Sequence, residues 1–306
     1  MTKLGSSDLD VFPLCLGGNV FGWTADEAQS FAVLDAYVAA GGNFIDTAES
    51  YSSWVPGHCG GESEAIIGNW LRARGERPDL VIATKTGHDR DLRREVVLEA
   101  AKRSLERLQR DTIDLYYMHN DDPETPFEES LGAFAELIRD GSVRYVGASN
   151  FTAERLAEAL DVAEREGLPR IVALQNEYNL IVRDYEDGPR EVVERRAIAA
   201  VPYYGLASGF LTGKYRRGGS AVDSPRAQGA LARLDEGGSE VLAALDEIAA
   251  AHDSTPAAVS LAWLRAQPTV AAPIASARTE EQLAELLPFT EIELDAAELE
   301  RLGRLG

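Results

Sequence analysis

Short apolar runs recur along the chain at FPLCL (12–16), NFID (43–46), LVIATK (80–85), IDLYYM (113–118), VRYVGAS (143–149), IVALQ (171–175), IAAVPY (198–203) and VAAPI (270–274). Most of these eight runs lack period-two alternation, the pattern of strands buried on both faces. Between them apolar positions fall at helical spacing. Val97, Ala101, Ser104, Leu105 and Leu108 share one stripe, and Phe127, Leu131, Phe134, Ala135 and Ile138 share the next. Gly41-Gly42, Gly141 and Gly167 follow helical segments, where a left-handed cap favours glycine. Thr255-Pro256 reads as a capping residue before a first-turn proline, and TEEQ (279–282) as a capping box. Eight strand–helix units with no linker and no low-complexity stretch predict an α/β fold: one (β/α)8 TIM barrel, residues 1–306 forming a single domain with extra helices at the C-terminal end. A doubly wound open sheet is the alternative, disfavoured by the strand count.

Two segments depart from a plain barrel. KLGSSDLDVF (3–12), two short runs around a serine-rich turn, predicts a β-hairpin ahead of the first barrel strand. Residues 204–240, rich in Gly and Arg, form a long connection, and a loop of that length inside a compact domain is usually functional or mobile.

Composition narrows the function. At 45% hydrophobic and 26% charged, the 306 residues have the balance of a soluble globular protein. The formal net charge of −21 repels nucleic acid and anionic lipid, which argues against either as a partner. No apolar run approaches a membrane span. MTKLGSSDLD lacks the basic region and apolar core of a signal peptide, so the expected location is the cytoplasm. Cys15 and Cys59 imply no disulfide framework, and His58-Cys59 has no companion pair at metal-ligand spacing, so no metal is expected. Lysine occurs only at 3, 85, 102 and 214.

Chemistry in a barrel of this kind gathers where strands end and the following loops begin. Asp46, Lys85 and His119 stand at the predicted second, third and fourth strand ends, and Tyr51 follows in the second loop. A free phenol titrates near ~10, and a neighbouring ammonium lowers that value. Lys85 is the candidate ammonium, and Asp46 the carboxylate that holds it charged. With His119 hydrogen-bonding the oxygen to be reduced, the set suits general acid catalysis on a carbonyl.

These residues sit in motifs that resemble a known family. NFIDTAESY, VIATKTG, IDLYYMH, VRYVGASNF, LQNEYNL, VPYYGLASGFLTGKYR and PIASARTEEQL follow the order found in the aldo-keto reductases, and the resemblance covers nearly the whole chain. Its Asp-Tyr-Lys-His tetrad maps onto Asp46, Tyr51, Lys85 and His119. The chain resembles the bacterial and potassium-channel β-subunit branches more than the mammalian steroid-type enzymes.

The resemblance implies a (β/α)8 enzyme that binds a nicotinamide cofactor across the barrel mouth, consistent with the lack of a GxGxxG fingerprint after a strand. It places Ser149, Asn150 and Gln175 on the nicotinamide amide and Tyr203 against its ring. Leu206, Ser208, Gly209, Leu211, Thr212 and Lys214 become the pyrophosphate segment. Ser276 and Arg278 precede a predicted helix start, where anions bind well, and a bidentate Arg278 contact to a 2′-phosphate favours NADPH over NADH. Gln282 flanks the adenine. Where the family commonly has Glu-Asn, this chain has Glu285-Leu286.

Trp23, Trp54 and the loop SSWVPGHCGG (52–61) lie in the first two βα loops and are candidate substrate walls, with Asn120 beside His119. The function this implies is NADPH-dependent reduction of an aldehyde or ketone, a sugar or aromatic carbonyl among the candidates, with Tyr51 as general acid. Alternatives are a redox-sensing regulatory subunit of the channel β type, and a sugar dehydratase or isomerase that uses bound cofactor transiently. Whether the chain is a monomer or a homo-oligomer stays open.

Overall fold

The computed structural model describes residues 1–75, 77–216 and 227–305, with residues 235 and 236 described through their backbone alone. The chain opens with the predicted hairpin: β1 (Thr2–Lys3) pairs antiparallel with β2 (Asp10–Val11), Thr2 opposite Val11. Eight parallel strands then curl in chain order: β3 (Cys15–Gly17), β4 (Phe44–Asp46), β5 (Val81–Thr86), β6 (Ile113–Met118), β7 (Val143–Ser149), β8 (Ile171–Gln175), β9 (Ala199–Ala200) and β10 (Ile274–Ala275). β10 pairs with β3. On the other side Ala271 N donates to Ala200 O (2.9 Å) and Ile274 N to Pro202 O (2.8 Å), which brings the last strand against β9.

Three strands are displaced from, or shorter than, their apolar runs. Each such run contains a proline, Pro13, Pro202 or Pro273, which lacks the N–H a ladder needs. The first strand therefore starts at Cys15, the seventh stops at Ala200, and the eighth begins at Ile274, with Val270 making an isolated bridge to Ala200.

Helices α1 (Glu27–Ala39), α2 (Glu62–Arg74), α3 (Arg94–Leu108), α4 (Phe127–Arg139), α5 (Ala153–Glu166) and α6 (Pro189–Arg195) fill the intervals up to β9. After β9 come a 3-10 segment (Ala207–Thr212), α7 (Ala227–Ala232), α8 (Ser239–Ala251) and α9 (Pro256–Arg265), then α10 (Glu280–Leu286) and α11 (Ala296–Gly303) beyond β10. The long connection at 204–240 is thus partly helical, and its residues 217–226 lie outside the described residues. On α4 the buried stripe includes Ala133 and Leu137, while the expected Ala135 and Ile138 are half-buried. Thr255 caps α9 as expected. Thr279 caps α10 by accepting from Gln282 N, but Gln282 Oε1 accepts from Arg278 N instead of closing the box.

Two apolar layers hold the barrel. One lies between sheet and helices; the other fills the interior with Cys15, Phe44, Leu115, Tyr117 and Val201 and is closed at the N-terminal end by Leu4, Leu9 and Val11 of the hairpin. Fully burying such side chains contributes roughly 1.5–3 kcal/mol each. The plugged bottom leaves the C-terminal rim as the open end. Among the described residues no helix is long and apolar enough to cross a membrane.

Candidate active site

Because the strands run parallel, their last residues share one rim. Gly17, Asp46, Ser149, Gln175 and Ala275 end or nearly end their strands there, and they line a cleft of about 370 Å³ with Tyr51, His119, Asn150 and Tyr203. Lys85 lies beneath the cleft, 0% exposed.

The floor is a compact hydrogen-bonded unit. Lys85 Nζ donates to Asp46 Oδ2 (2.7 Å), Thr47 O (2.7 Å) and Tyr51 Oη (2.9 Å), which engages all three ammonium protons. Tyr51 Oη donates to Asp46 Oδ2 at 3.1 Å, and Gln175 Nε2 to Asp46 Oδ1 at 2.8 Å. The His119 ring stands 6.2 Å from the Tyr51 ring and 5.0 Å from that of His88. All four side chains expected from the sequence therefore meet.

Burial changes their proton affinities. It lowers that of Lys85, and the Asp46 carboxylate is the first group to oppose it. Burial and the Asp46 carboxylate push the Tyr51 phenol well above its ordinary value. That corrects the expectation of a phenol lowered by Lys85: the ammonium stands beside the phenol, yet desolvation and the adjacent carboxylate outweigh it. The outcome is a phenol that carries its proton at neutral pH. His119 is pushed down to about 2, by burial first and then by the charges of Lys85 and His88, so its imidazole is neutral.

Toward the other end of the cleft, Asn150, with φ of +60°, donates to His119 O (2.9 Å) and to Ser149 Oγ (3.1 Å) and accepts from Tyr203 Oη (2.8 Å). Leu206, Ser208, Gly209 and Lys214 line the wall. Ser208 (φ 59°) and Gly209 (φ 92°) break the 3-10 segment, which turns Leu211 into the core and leaves Thr212 donating to Gly209 O. Leu211 and Thr212 thus lie behind the wall and do not line the cleft. Ser276 Oγ donates to Asn19 Oδ1 at 2.7 Å. Arg278 and Gln282 also line the cleft. Among the described residues neither Lys214 nor Arg278 forms an ion pair.

Trp23 and Trp54 meet edge to face at 5.5 Å, and Trp54 stands 6.1 Å from the Tyr51 ring. Asn120 donates to His88 O at 2.7 Å. All three line the cleft.

With this geometry in place, the chain matches the Aldo/keto reductase family over residues 13–305. The protein belongs to that family. Protein tas of Escherichia coli is 34% identical, the alignment covering 95% of this chain and 93% of tas. The uncharacterized oxidoreductase YrpG of Bacillus subtilis is 33% identical over 99% of this chain and 94% of its own. A probable voltage-gated potassium channel subunit beta of Arabidopsis thaliana is 32% identical over 95% and 90%. Aldo/keto reductases are oxidoreductases that reduce carbonyls and generally use NAD(P)H.

In this aldo/keto reductase the cleft also contains residues that sequence reasoning missed. Asn19, Ser50, His88 and Tyr204 line it. Asn19 follows Gly17-Gly18 at the end of β3 and His88 follows Gly87 just past β5, and a polar side chain just past a strand end is the signal by which they were findable. Among the described residues no cluster of three or more His, Cys, Asp or Glu is placed to hold a metal ion.

Proposed function

We propose that the protein is an NADPH-dependent reductase of an aldehyde or ketone in which Tyr51 is the general acid. One observation carries this reading: at the floor of the cleft a wholly buried ammonium, Lys85, is bonded at once to a carboxylate and to a phenol facing the open side. The remaining cleft residues fit the cofactor. Ser149, Asn150 and Gln175 supply amide-recognising groups and Tyr203 a ring face; Ser208 and Gly209 are small, and Lys214 and Arg278 are cations free of carboxylates among the described residues. Two N–H groups at α10, those of Arg278 and Gln282, are already bonded to Gln282 Oε1 and Thr279 Oγ1. Recognition of the 2′-phosphate therefore falls to the Arg278 guanidinium, the Ser276 hydroxyl being donated to Asn19 Oδ1.

Bound NADPH supplies the hydride that adds to the carbonyl carbon. Tyr51 gives its proton to the carbonyl oxygen, completing the alcohol, and the phenolate left behind is held by the Lys85 ammonium until solvent reprotonates it. Asp46 keeps that ammonium charged. Neutral His119 donates one N–H to the carbonyl oxygen and orients it toward Tyr51. Trp23 and Trp54 offer apolar faces to the substrate, and Asn120 a polar edge.

The test is NADPH consumption against a panel of aromatic aldehydes, aliphatic aldehydes, ketones and keto-sugars. Tyr51→Phe should lower turnover by about 10²–10⁴-fold while cofactor affinity holds; unchanged turnover would remove Tyr51 from the mechanism. The likeness to plant channel β-subunits supports a second reading, a cofactor-binding regulatory subunit. Tight NADPH binding without consumption of any carbonyl would favour it.

A further inference from the structure

Two of the three acceptors around the Lys85 ammonium, Asp46 and Tyr51, are explained by the proposed chemistry. The third, the carbonyl oxygen of Thr47 at 2.7 Å, is not. Thr47 directly follows β4, where its N–H donates to Ala83 O at 2.9 Å and its side chain is fully buried. That side chain has a defined partner: Thr47 Oγ1 donates to Ser63 Oγ at 2.8 Å, and Ser63 Oγ donates to Gly18 O at 2.8 Å. Ser63 is also 0% exposed and stands in the first turn of α2. A relay of buried hydroxyls therefore joins the Lys85 acceptor to Gly18 in the first βα loop, between the cleft-lining Gly17 and Asn19.

The surroundings are shaped to this relay. A Cβ at Gly18 would lie 2.8 Å from Ser63 Oγ and 3.1 Å from Asp46 O, so the loop approaches this closely only because the position lacks a side chain. The next residue of α2, Glu64, accepts from Thr84 Oγ1 (2.6 Å) and from Arg107 (3.0 Å), fixing the strand residue that precedes Lys85. The first turn of α2 thus grips the barrel on both sides of the ammonium.

We propose that Thr47 and Ser63 are positioning residues for the proposed reaction, holding the Thr47 carbonyl on Lys85 so that the buried ammonium keeps three acceptors and its charge. The proposal rests on the reading of Asp46, Tyr51, Lys85 and His119 as the catalytic set. An ammonium in an apolar interior stays charged only while its N–H groups are paired. The titratable groups facing it are Asp46 and Tyr51 from β4 and its loop, Cys15 from β3, Glu64 from α2 and His119 after β6. None of them replaces a carbonyl moved out of reach.

Thr47→Val keeps the shape, removes the donor and sets a methyl against Ser63 Oγ; Thr47→Ser keeps the hydroxyl. The chain has only four lysines, and Lys3, Lys102 and Lys214 are exposed, so the buried Lys85 ammonium can be followed in a pH titration of protein carrying ¹⁵N at lysine Nζ. Thr47→Val should lower the Lys85 midpoint by about one pH unit, and Thr47→Ser should leave it in place. In turnover assays kcat should fall roughly tenfold with its alkaline limb moved down equally, the KM for NADPH being unchanged. Ser63→Ala should shift the midpoint in the same direction and decides the matter if Thr47→Val does not fold. An unmoved midpoint in the variants, or Thr47→Ser behaving as Thr47→Val, would overturn the proposal. Failure of the wild-type protein to reduce any carbonyl would count against the reductase reading, while the midpoint would still decide the positioning role.

Discussion

Replacing Asp46 with asparagine removes one charge and keeps the shape. Asp46 Oδ1 accepts from Gln175 Nε2 (2.8 Å), and Oδ2 accepts from Lys85 Nζ (2.7 Å) and Tyr51 Oη (3.1 Å). An asparagine retains the first bond through its oxygen and turns an amide NH₂ toward Lys85 and Tyr51, so a donor meets two donors. Breaking a buried pair by removing one partner costs about 3–5 kcal/mol. At ~1.4 kcal/mol per unit this lowers the Lys85 midpoint by about 2–4 pH units. Burial already holds that midpoint below its ordinary value, and Asp46 is first among the groups that raise it. Asp46→Asn therefore shifts Lys85 toward its neutral amine. The neutral amine accepts the new amide N–H, which relieves the donor clash, but it no longer stabilises a Tyr51 phenolate. We expect kcat to fall by about 10²–10³-fold while the KM for NADPH changes little, because Gln175, Lys214 and Arg278 keep their places. Steady-state turnover across a pH series, with the lysine ¹⁵Nζ titration on the same protein, measures both quantities. A kcat within about threefold of wild type, or an unmoved Lys85 midpoint, would refute the role given to Asp46.

Arg278→Ala should weaken NADPH by about 10–100-fold, the loss of a charge-assisted bidentate contact, and leave NADH nearly unaffected; equal losses in fluorescence titrations with the two cofactors would remove the 2′-phosphate assignment. His119 makes stability depend on pH with a definite sign. Its folded value of about 2 lies below the ordinary ~6.5, so between the two the unfolded chain binds the extra proton and stability falls as pH falls. At pH ~5 the loss reaches roughly 2 kcal/mol, and His119→Gln should abolish that part of it in denaturant titrations at pH ~7 and ~5; an identical loss in both proteins would contradict the neutral imidazole.

The barrel was legible because strands buried on both faces leave apolar runs that short glycine-capped helices separate. Strand ends were blurred where Pro13, Pro202 and Pro273 extend an apolar run without extending a ladder. The meeting of Asp46, Tyr51, Lys85 and His119 was legible for a related reason: Asp46, Lys85 and His119 are set by strand register, and register follows from the runs. What depends on the path of a loop was not. His88 reaches His119, and Asn19 reaches Ser276 across 257 positions of sequence. Leu211 shares a motif with the cleft residues Ser208 and Gly209, yet the left-handed backbone of those two residues sends it into the core. The direction of the Tyr51 shift escaped the sequence because sequence shows which charges are near, while the degree of desolvation belongs to the folded packing.

Charge placement connects the fold to the proposed cofactor. The chain carries 51 acidic and 30 basic residues, and many of its surface arginines are matched to carboxylates, as in Arg74–Asp35, Arg94–Glu136 and Arg155–Asp121. Lys214 and Arg278 line the cleft and have no such match among the described residues. At physiological salt the field of remote carboxylates is screened beyond ~8 Å. An anion inside the cleft therefore responds to the cations beside it, whereas a polyanion lying across the surface meets the net negative charge. That arrangement suits a small molecule with separated anionic groups better than a polyanion, and the proposed phosphorylated dinucleotide is such a molecule. Its reactive end would then lie toward Tyr51, because Lys85, buried beneath Tyr51, is already neutralised by Asp46 and offers no competing anion site.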